Sequence, residues 1–231
     1  MAAHGKIIDS INTAVADGQT PLFSFEFFPP KTDEGRENLY MRMDRMCALE
    51  PLFVDITWGA GGSTAESTME ICKYAQTYFG TNVLMHLTCT GMTETQLLDV
   101  LHKAKGVGIR NILALQGDAP KGKLDWLPTP GGCPHAVDLV RLIRKHFGAH
   151  FCIAVGGFPE GHPRSGGNLA HDVSFLKEKV PPLSSYTPPS IPRSSNPPAL
   201  LRGSLGLPIQ DVTPDQDDFP TPPSSASCQS L

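Results

Sequence analysis

The sequence lacks the features that mark membrane, secreted or nucleic-acid-binding proteins. No apolar stretch reaches about 18 residues, so no membrane-spanning helix is expected. Residues 1–20 mix charged and apolar side chains and lack the apolar core of a signal peptide. The net charge of −4 gives no electrostatic reason to expect nucleic acid or an anionic membrane as a partner. These absences favour a cytoplasmic protein.

Several motifs of enzyme chemistry are also absent. None of the six cysteines forms a CxxC pair, and several lie inside apolar runs, which is typical of reduced, buried thiols. No second histidine or cysteine stands at metal-ligand spacing, so no metal site is predicted. The GxSxG elbow of serine nucleophiles is missing, as are the phosphate loops GxGxxG and GxxxxGK[ST].

What the sequence does contain is a repeated pattern of strands and helices. Short apolar runs recur about every thirty residues, separated by helix-like stretches rather than two-residue hairpin turns, and this cadence predicts a parallel sheet. The predicted strands are Leu22–Phe28, Phe53–Trp58, Asn82–Thr90, Asn111–Gly117 and Phe151–Phe158. A lead-in helix is predicted in residues 1–20, with Gly18 as its stop. The helices between the strands are predicted at residues 34–49, where Asp33 is the cap, and at 64–79, 94–106 and 135–147. A last helix should end near Val180, because Pro181 and Pro182 follow it.

The strand ends distinguish two parallel-sheet architectures. A doubly wound open sheet would place a phosphate loop early, whereas a (β/α)8 barrel gathers active residues from many consecutive strand ends. Every predicted strand here ends on polar residues, which favours the barrel. We therefore predict a partial (β/α)8 TIM barrel of about five units over residues 21–180. Residues 181–231 hold 12 of the 22 prolines and ten serines, a composition typical of a disordered tail.

Glu26 is the most unusual polar residue of these strands, because it lies within Phe23-Ser24-Phe25-Glu26-Phe27-Phe28. Burial among aromatic rings raises the pKa of a carboxyl group, as a general acid near neutral pH requires. The alternative is simple alternation, in which Glu26 belongs to an inward face that carries polar groups.

The other candidates also have structural alternatives. Asp118 ends the fourth strand and could equally be a turn residue or a helix cap. Thr57, Trp58 and His86 close their strands in the same way, and a single strand-end histidine is usually a structural group. His162 and Pro163 lie in a glycine-rich loop that could approach a phosphate, and Lys179 is most simply a solvated helix residue. The residues alone thus indicate a barrel-like α/β enzyme with a carboxylate acid and no identified substrate.

At these positions the chain resembles the methylenetetrahydrofolate reductase family, over roughly residues 6–180. The resemblance rests on the order and spacing of several motifs: Phe23-Ser-Phe-Glu-Phe-Phe-Pro-Pro-Lys-Thr32, Asp55-Ile-Thr-Trp58, His86-Leu-Thr-Cys89, His102-Lys-Ala-Lys105, Asn111-Ile-Leu-Ala-Leu-Gln-Gly-Asp118, Ala136-Val-Asp-Leu-Val140, Gly161-His-Pro163 and Leu176-Lys-Glu-Lys-Val180. It implies a (β/α)8 barrel that holds FAD at the C-terminal ends of its strands.

The resemblance implies an activity in folate one-carbon metabolism. NADPH or NADH would reduce FAD, and the flavin would pass a hydride to 5,10-methylenetetrahydrofolate, giving 5-methyltetrahydrofolate. Glu26 matches the general acid that helps open the folate ring, and Asp118 matches the acidic residue beside the flavin and the folate; both are implied catalytic and substrate-binding residues. Family members form oligomers, so a homo-oligomer is a possible state of this chain.

The resemblance also implies which residues bind the cofactors. The nicotinamide cofactor would meet the segment Glu26, Phe27, Phe28, Pro29, Pro30 and Lys31. FAD would contact Thr57, Trp58, His86, Gln116, Gly117, Asp118, His135, Ala136, Phe158, His162, Pro163, Arg164, Ser165, Asp172 and Lys179. Gln116 stands where the family usually has arginine, which removes a positive charge near the flavin, and His135 and Phe158 stand where tyrosine is common.

The chain also departs from the family in extent, since the sixth to eighth barrel units and the C-terminal domain that binds S-adenosylmethionine in eukaryotic members are not found in it. We hypothesise a truncated or mis-spliced product whose residues 181–231 are unrelated sequence. Two other functions are considered. One is a non-catalytic interaction protein that offers Pro189–Pro192 and Arg193 to an SH3-like domain. The other is a different flavin barrel, such as a proline-oxidising enzyme, against which the ordered motifs argue.

Overall fold

A computed structural model describes residues 5–19, 21–59, 63–118, 129–157, 166 and 168–183. Its centre is one sheet of five parallel strands in the order β1-β2-β3-β4-β5. The strands are β1 Ser24–Phe27, β2 Phe53–Ile56, β3 Asn82–Thr88, β4 Asn111–Leu115 and β5 Cys152–Val155. A doubly wound sheet reverses its strand order at a switch point, and the described strands show no such reversal. The predicted α/β fold, with successive strands in barrel order, is confirmed.

Helices precede, separate and follow these strands. Their bounds are α1 Ile7–Ala16, α2 Asp33–Cys47, α3 Ala65–Tyr74, α4 Glu94–Gly106, α5 Ala136–Phe147 and α6 Leu169–Leu183, and a π-helical turn, Ala75–Phe79, extends α3. Thr32, rather than the predicted Asp33, caps α2, because the Thr32 side chain accepts a 3.0 Å hydrogen bond from the Gly35 N–H. Thr93 and Gln96 form a reciprocal capping box at the start of α4.

Helices α2 to α6 pack against one face of the sheet, which we call the outer face. Its strand residues alternate with those of the other face, and Val54, Ile56, Val83, Met85 and Ile112 are fully buried there. Leu97, Leu139 and Ile143 are among the fully buried residues that α4 and α5 bring to the same cluster. Burying one such side chain stabilises the fold by about 1.5–3 kcal/mol, so this layer provides much of the stability.

The opposite face, here the inner face, is covered at its N-terminal end by α1. Ile7 forms a small apolar cluster with Phe53 and Leu84. Asn111 fastens α1 to the sheet, since its Oδ1 accepts a 2.8 Å hydrogen bond from the Ile7 N–H and its Nδ2 donates to the carbonyls of Gly5 and Val83. The lead-in helix therefore closes the end of the sheet away from the carboxyl ends of the strands.

Two sequence predictions about element ends need correction. The strands are shorter than the apolar runs; β5 for example ends at Val155, because the residues beyond it leave the ladder. Pro181 and Pro182 do not halt the last helix, which runs to Leu183. The proline ring fixes φ at about −65°, a value that an α-helix also uses, so φ alone does not exclude Pro181 and Pro182 from the last turn. The predicted tail lies almost entirely outside the described residues.

The described cysteines, Cys47, Cys72, Cys89, Cys133 and Cys152, all have free thiols. Burial raises the pKa of Cys89 to about 12 and the pKa of Cys133 to about 11, so both thiols stay protonated at neutral pH. Cys228 lies outside the described residues. Within the described ranges, no helix has the length and apolarity needed to cross a membrane.

Candidate active site at the carboxyl ends of the strands

Glu26 lies on the inner face, as alternation predicts. Its neighbours Phe25 and Phe27 both pack into the outer-face cluster, so the side chain between them points the other way. Glu26 is the third residue of β1 and is half-buried. Its register partner on β2 is Asp55, which is also an inner-face residue. Two carboxylate side chains therefore stand on neighbouring strands at the same level of the same face.

Asp55 makes a second contact on this face. His86 of β3 places Nε2 3.5 Å from Oδ1 of Asp55, and both side chains are buried. Neither sequence pattern nor resemblance had assigned Asp55 a role. The sequence did contain a pattern that indicates a role for Asp55, because Asp55 interrupts the apolar run Phe53-Val54-Asp55-Ile56 just as Glu26 interrupts its own run.

The ends of β3 and β4 come unusually close together. Thr90 Oγ1 donates a 2.6 Å hydrogen bond to the carbonyl of Gln116. Gly117 has φ +89°, and a Cβ added there would lie 2.8 Å from Cβ of Thr88. Only glycine fits this position without strain or displacement. The glycine thus allows the backbone at the end of β4 to pack directly against the Thr88 side chain, and Gly117 itself is half-buried.

Asp118 follows Gly117 directly and is exposed. It stands beyond the carboxyl end of β4, at the same edge of the sheet to which the other strands bring Thr57 and Thr88. Residues 119–128, which follow Asp118, lie outside the described residues.

The fold brings Gln116 and His135 together, a contact that the spacing of the motifs alone did not reveal. Gln116 Nε2 donates a 3.2 Å hydrogen bond to the carbonyl of Pro134 and lies 3.5 Å from Nδ1 of His135. His135 immediately precedes α5, where its N–H donates to Oδ2 of Asp138 at 3.1 Å, and Ala136 is the first residue of that helix. The start of α5 therefore abuts the end of β4.

Lys179 is not the solvated helix residue that the simplest interpretation predicts. Its Nζ donates a 3.0 Å hydrogen bond to the carbonyl of Gly156, just beyond the end of β5. Burial lowers the pKa of Lys179, and the charge of Asp172, two turns earlier in α6, opposes that shift. Lys179 thus belongs to the edge of the sheet where the other candidates lie.

Some predicted side chains point away from this edge. Trp58 and Phe27 are buried in the outer-face cluster, so their rings face the helices. Phe28 and Lys31 are exposed, and Pro29 and Pro30 are half-buried. Phe158, His162, Pro163, Arg164 and Ser165 lie outside the described residues.

The residues present fit a bound flavin. Among the described residues, the buried Oγ1 of Thr88 has no hydrogen-bond partner, although it lies beside Gly117. An unpartnered buried hydroxyl is costly in a protein interior, and a polar ligand would satisfy it. A heterocycle whose rim carries hydrogen-bonding atoms has the chemistry to supply that partner.

Comparisons with known proteins bear on the family of the chain. The family described as methylenetetrahydrofolate reductase matches residues 10–182. The chain is 47% identical over 183 residues to the probable methylenetetrahydrofolate reductase (NADH) of Oryza sativa subsp. japonica, an alignment covering 76% of this chain and 31% of the relative. It is 48% identical to methylenetetrahydrofolate reductase (NADH) 1 of Zea mays with the same coverage.

A bacterial relative matches as well. The 5,10-methylenetetrahydrofolate reductase of Escherichia coli strain K12 is 36% identical over 180 residues, covering 77% of this chain and 57% of the relative. The chain thus spans about a third of the plant relatives and just over half of the bacterial one. A solved 2,3-dimethylmalate lyase aligns with a TM-score of 0.48 and 8% identity over 77% of this chain and 60% of that chain, a likeness that supports no further argument.

Proposed function

The chain belongs to the methylenetetrahydrofolate reductase family, and from this premise we propose that it takes part in reducing 5,10-methylenetetrahydrofolate to 5-methyltetrahydrofolate. In this proposal NADH or NADPH is the electron donor and FAD is the bound cofactor. The observation that supports it most is the inner face itself. Glu26, Asp55, His86, Thr88 and the backbone of Gly117 share one face and one edge of the sheet, where barrel enzymes place their active sites.

The binding residues follow from their positions. Thr88 Oγ1 and the Gly117 backbone would hold the flavin where β3 and β4 approach each other, with His86 beneath them on the same face. Lys179 and the start of α5 would border the same site. When bound, FAD would supply the hydride carrier between the nicotinamide and the folate.

Glu26 is proposed as the general acid. A protonated carboxyl group at this position would give its proton to a ring nitrogen of the folate, so that the carbon–nitrogen bond breaks and its electron pair stays on that nitrogen. The folate then carries a positive charge on its one-carbon unit. The carboxylate of Asp118, at the exposed end of β4, would stabilise this cation. Half-burial of Glu26 keeps it within reach of substrate while limiting its contact with water.

The test uses the purified full chain. Incubation with FAD followed by removal of free ligand should leave a yellow protein, and anaerobic NADH or NADPH should bleach the colour. Adding 5,10-methylenetetrahydrofolate should then restore it with formation of 5-methyltetrahydrofolate. NADH is the first donor to try, since the plant relatives are named for it. A folded chain that retains no FAD would contradict the proposal.

A further inference from the structure

Asp55 is a buried acid for which the proposed reaction has as yet no use. Only 4% of its surface is exposed, and the apolar side chains of Phe53 and Leu84 share its face. Placing a carboxylate in such surroundings is costly unless a partner compensates for the lost hydration. The partner in the described structure is His86, whose Nε2 lies 3.5 Å from Oδ1 of Asp55.

The sheet itself fixes this contact. Asp55 pairs in register with Leu84, and His86 follows Leu84 by two residues on β3. The two side chains therefore lie on the same face, one pleat apart, and the parallel backbone ladder holds their separation. His86 lies one pleat closer than Asp55 to the carboxyl ends of the strands, on the side where Thr88 and Gly117 meet.

The chemistry of the pair decides which imidazole nitrogen holds a proton. An ionised carboxylate only accepts hydrogen bonds, so the nitrogen that faces it must be protonated. That nitrogen is Nε2, which lies 3.5 Å from the carboxylate as an ion-pair contact and makes no hydrogen bond with any described residue. The second nitrogen, Nδ1, is then the one left for a ligand. Partners of this kind commonly fix the tautomer and the orientation of functional histidines.

We propose that Asp55 is a positioning residue of this site, holding His86 with Nε2–H toward its carboxylate so that Nδ1 is presented to the bound flavin. The flavin part of this inference rests on the proposed function; the assignment of the Asp55–His86 pair does not.

The first test needs no cofactor. NMR spectra of the full chain with 15N-labelled histidine are recorded above about pH 8, where an ordinary imidazole is neutral. The ring signals of His86 are those that disappear in His86→Ala. Asp55→Asn preserves side-chain shape, but an amide can either accept from or donate to the ring. Nε2 should be fully protonated in the native chain and only partly protonated in Asp55→Asn. The matched control, Asp99→Asn, removes an exposed carboxylate on α4 and should give the native signals.

The second test measures FAD affinity. Asp55→Asn should weaken FAD binding about tenfold, whereas Asp99→Asn should not change it. The double variant Asp55→Asn/His86→Ala should bind no more weakly than His86→Ala alone, because Asp55 acts through His86. Additive losses, or native His86 signals in a folded Asp55→Asn protein, would overturn the inference. A chain that binds no FAD yet shows the expected change at Nε2 would refute the proposed function and support the pairing.

Discussion

The two faces of the sheet bury different kinds of side chain. On the outer face, β2, β3 and β4 present only apolar residues to the helices, and most of these are fully buried. On the inner face the same strands bury Asp55, His86, Thr88 and Asn111. Since polar burial is costly without partners, each of these inner residues requires a specific reason to be there.

The inner face itself divides into two ends. At the N-terminal end Asn111 uses both its donor and its acceptor to fasten α1, which is a structural reason. At the carboxyl end Thr88 has an unpartnered hydroxyl in the described structure, and Asp55 and His86 have mainly each other. The comparison indicates that the outer face and the α1 end supply stability, while the carboxyl end supplies chemistry. The following changes test that division.

The largest expected effect is at Glu26. Glu26→Gln preserves the shape of the side chain but removes the proton donor, so folate reduction should fall by about 10²- to 10⁴-fold. Flavin binding and its reduction by NADH should remain within about twofold, because neither step needs that proton. Stopped-flow absorbance separates the two half-reactions. Glu37→Gln, on the exposed side of α2, is the control and should leave both unchanged. An equal loss in both half-reactions would argue against the general-acid role.

The next effect is on the outer face. Leu97→Ala leaves a cavity in a fully buried position of α4 and should cost about 2–5 kcal/mol of unfolding free energy. Denaturant unfolding followed by circular dichroism measures it. Leu49→Ala, at a position that is 63% exposed, should cost less than about 0.5 kcal/mol. If both substitutions cost the same, the outer face is not the stabilising layer.

Gly117 is expected to affect both the stability of the fold and the binding of FAD. Gly117→Ala meets a positive φ and a Cβ contact with Thr88, and we expect a loss of about 2–3 kcal/mol together with weakened FAD binding. Gly80→Ala has a similar positive φ but nothing within 4 Å of the added Cβ, so it should cost only about 1–2 kcal/mol. Equal losses of stability in the two variants would show that the close approach at Gly117 does not matter.

The smallest effect distinguishes a ligand-directed hydroxyl from a structural one. Thr88→Val should leave the free energy of unfolding unchanged or raise it by up to about 1 kcal/mol, while lowering FAD affinity several-fold. Thr68→Val is the matched change, because the Thr68 hydroxyl donates a 2.9 Å hydrogen bond to the carbonyl of Thr57. It should cost about 1 kcal/mol of stability. Comparable destabilisation by both variants would mean that Thr88 has a protein partner.

The sequence predicted successive strands in barrel order from the polar residues that end each strand, and it predicted the inward direction of Glu26 from the alternation of side chains along a strand. It overestimated strand lengths, since apolar character continues past the last ladder hydrogen bond, as at Trp58. The Asp55–His86 contact could not be predicted, because it requires the register between two strands. Lys179 was misassigned for the same kind of reason: its partner, the Gly156 carbonyl, is 23 residues away in sequence.

The most direct test of this account is an experimentally determined structure of the chain with FAD bound. We expect the isoalloxazine ring at the carboxyl end of the inner face, against Gly117 and Thr88 and with the Glu26 carboxyl group open to the same space. A flavin bound on the helix-facing side, or a Glu26 side chain directed into bulk solvent away from the ring, would contradict the division of roles between the two faces.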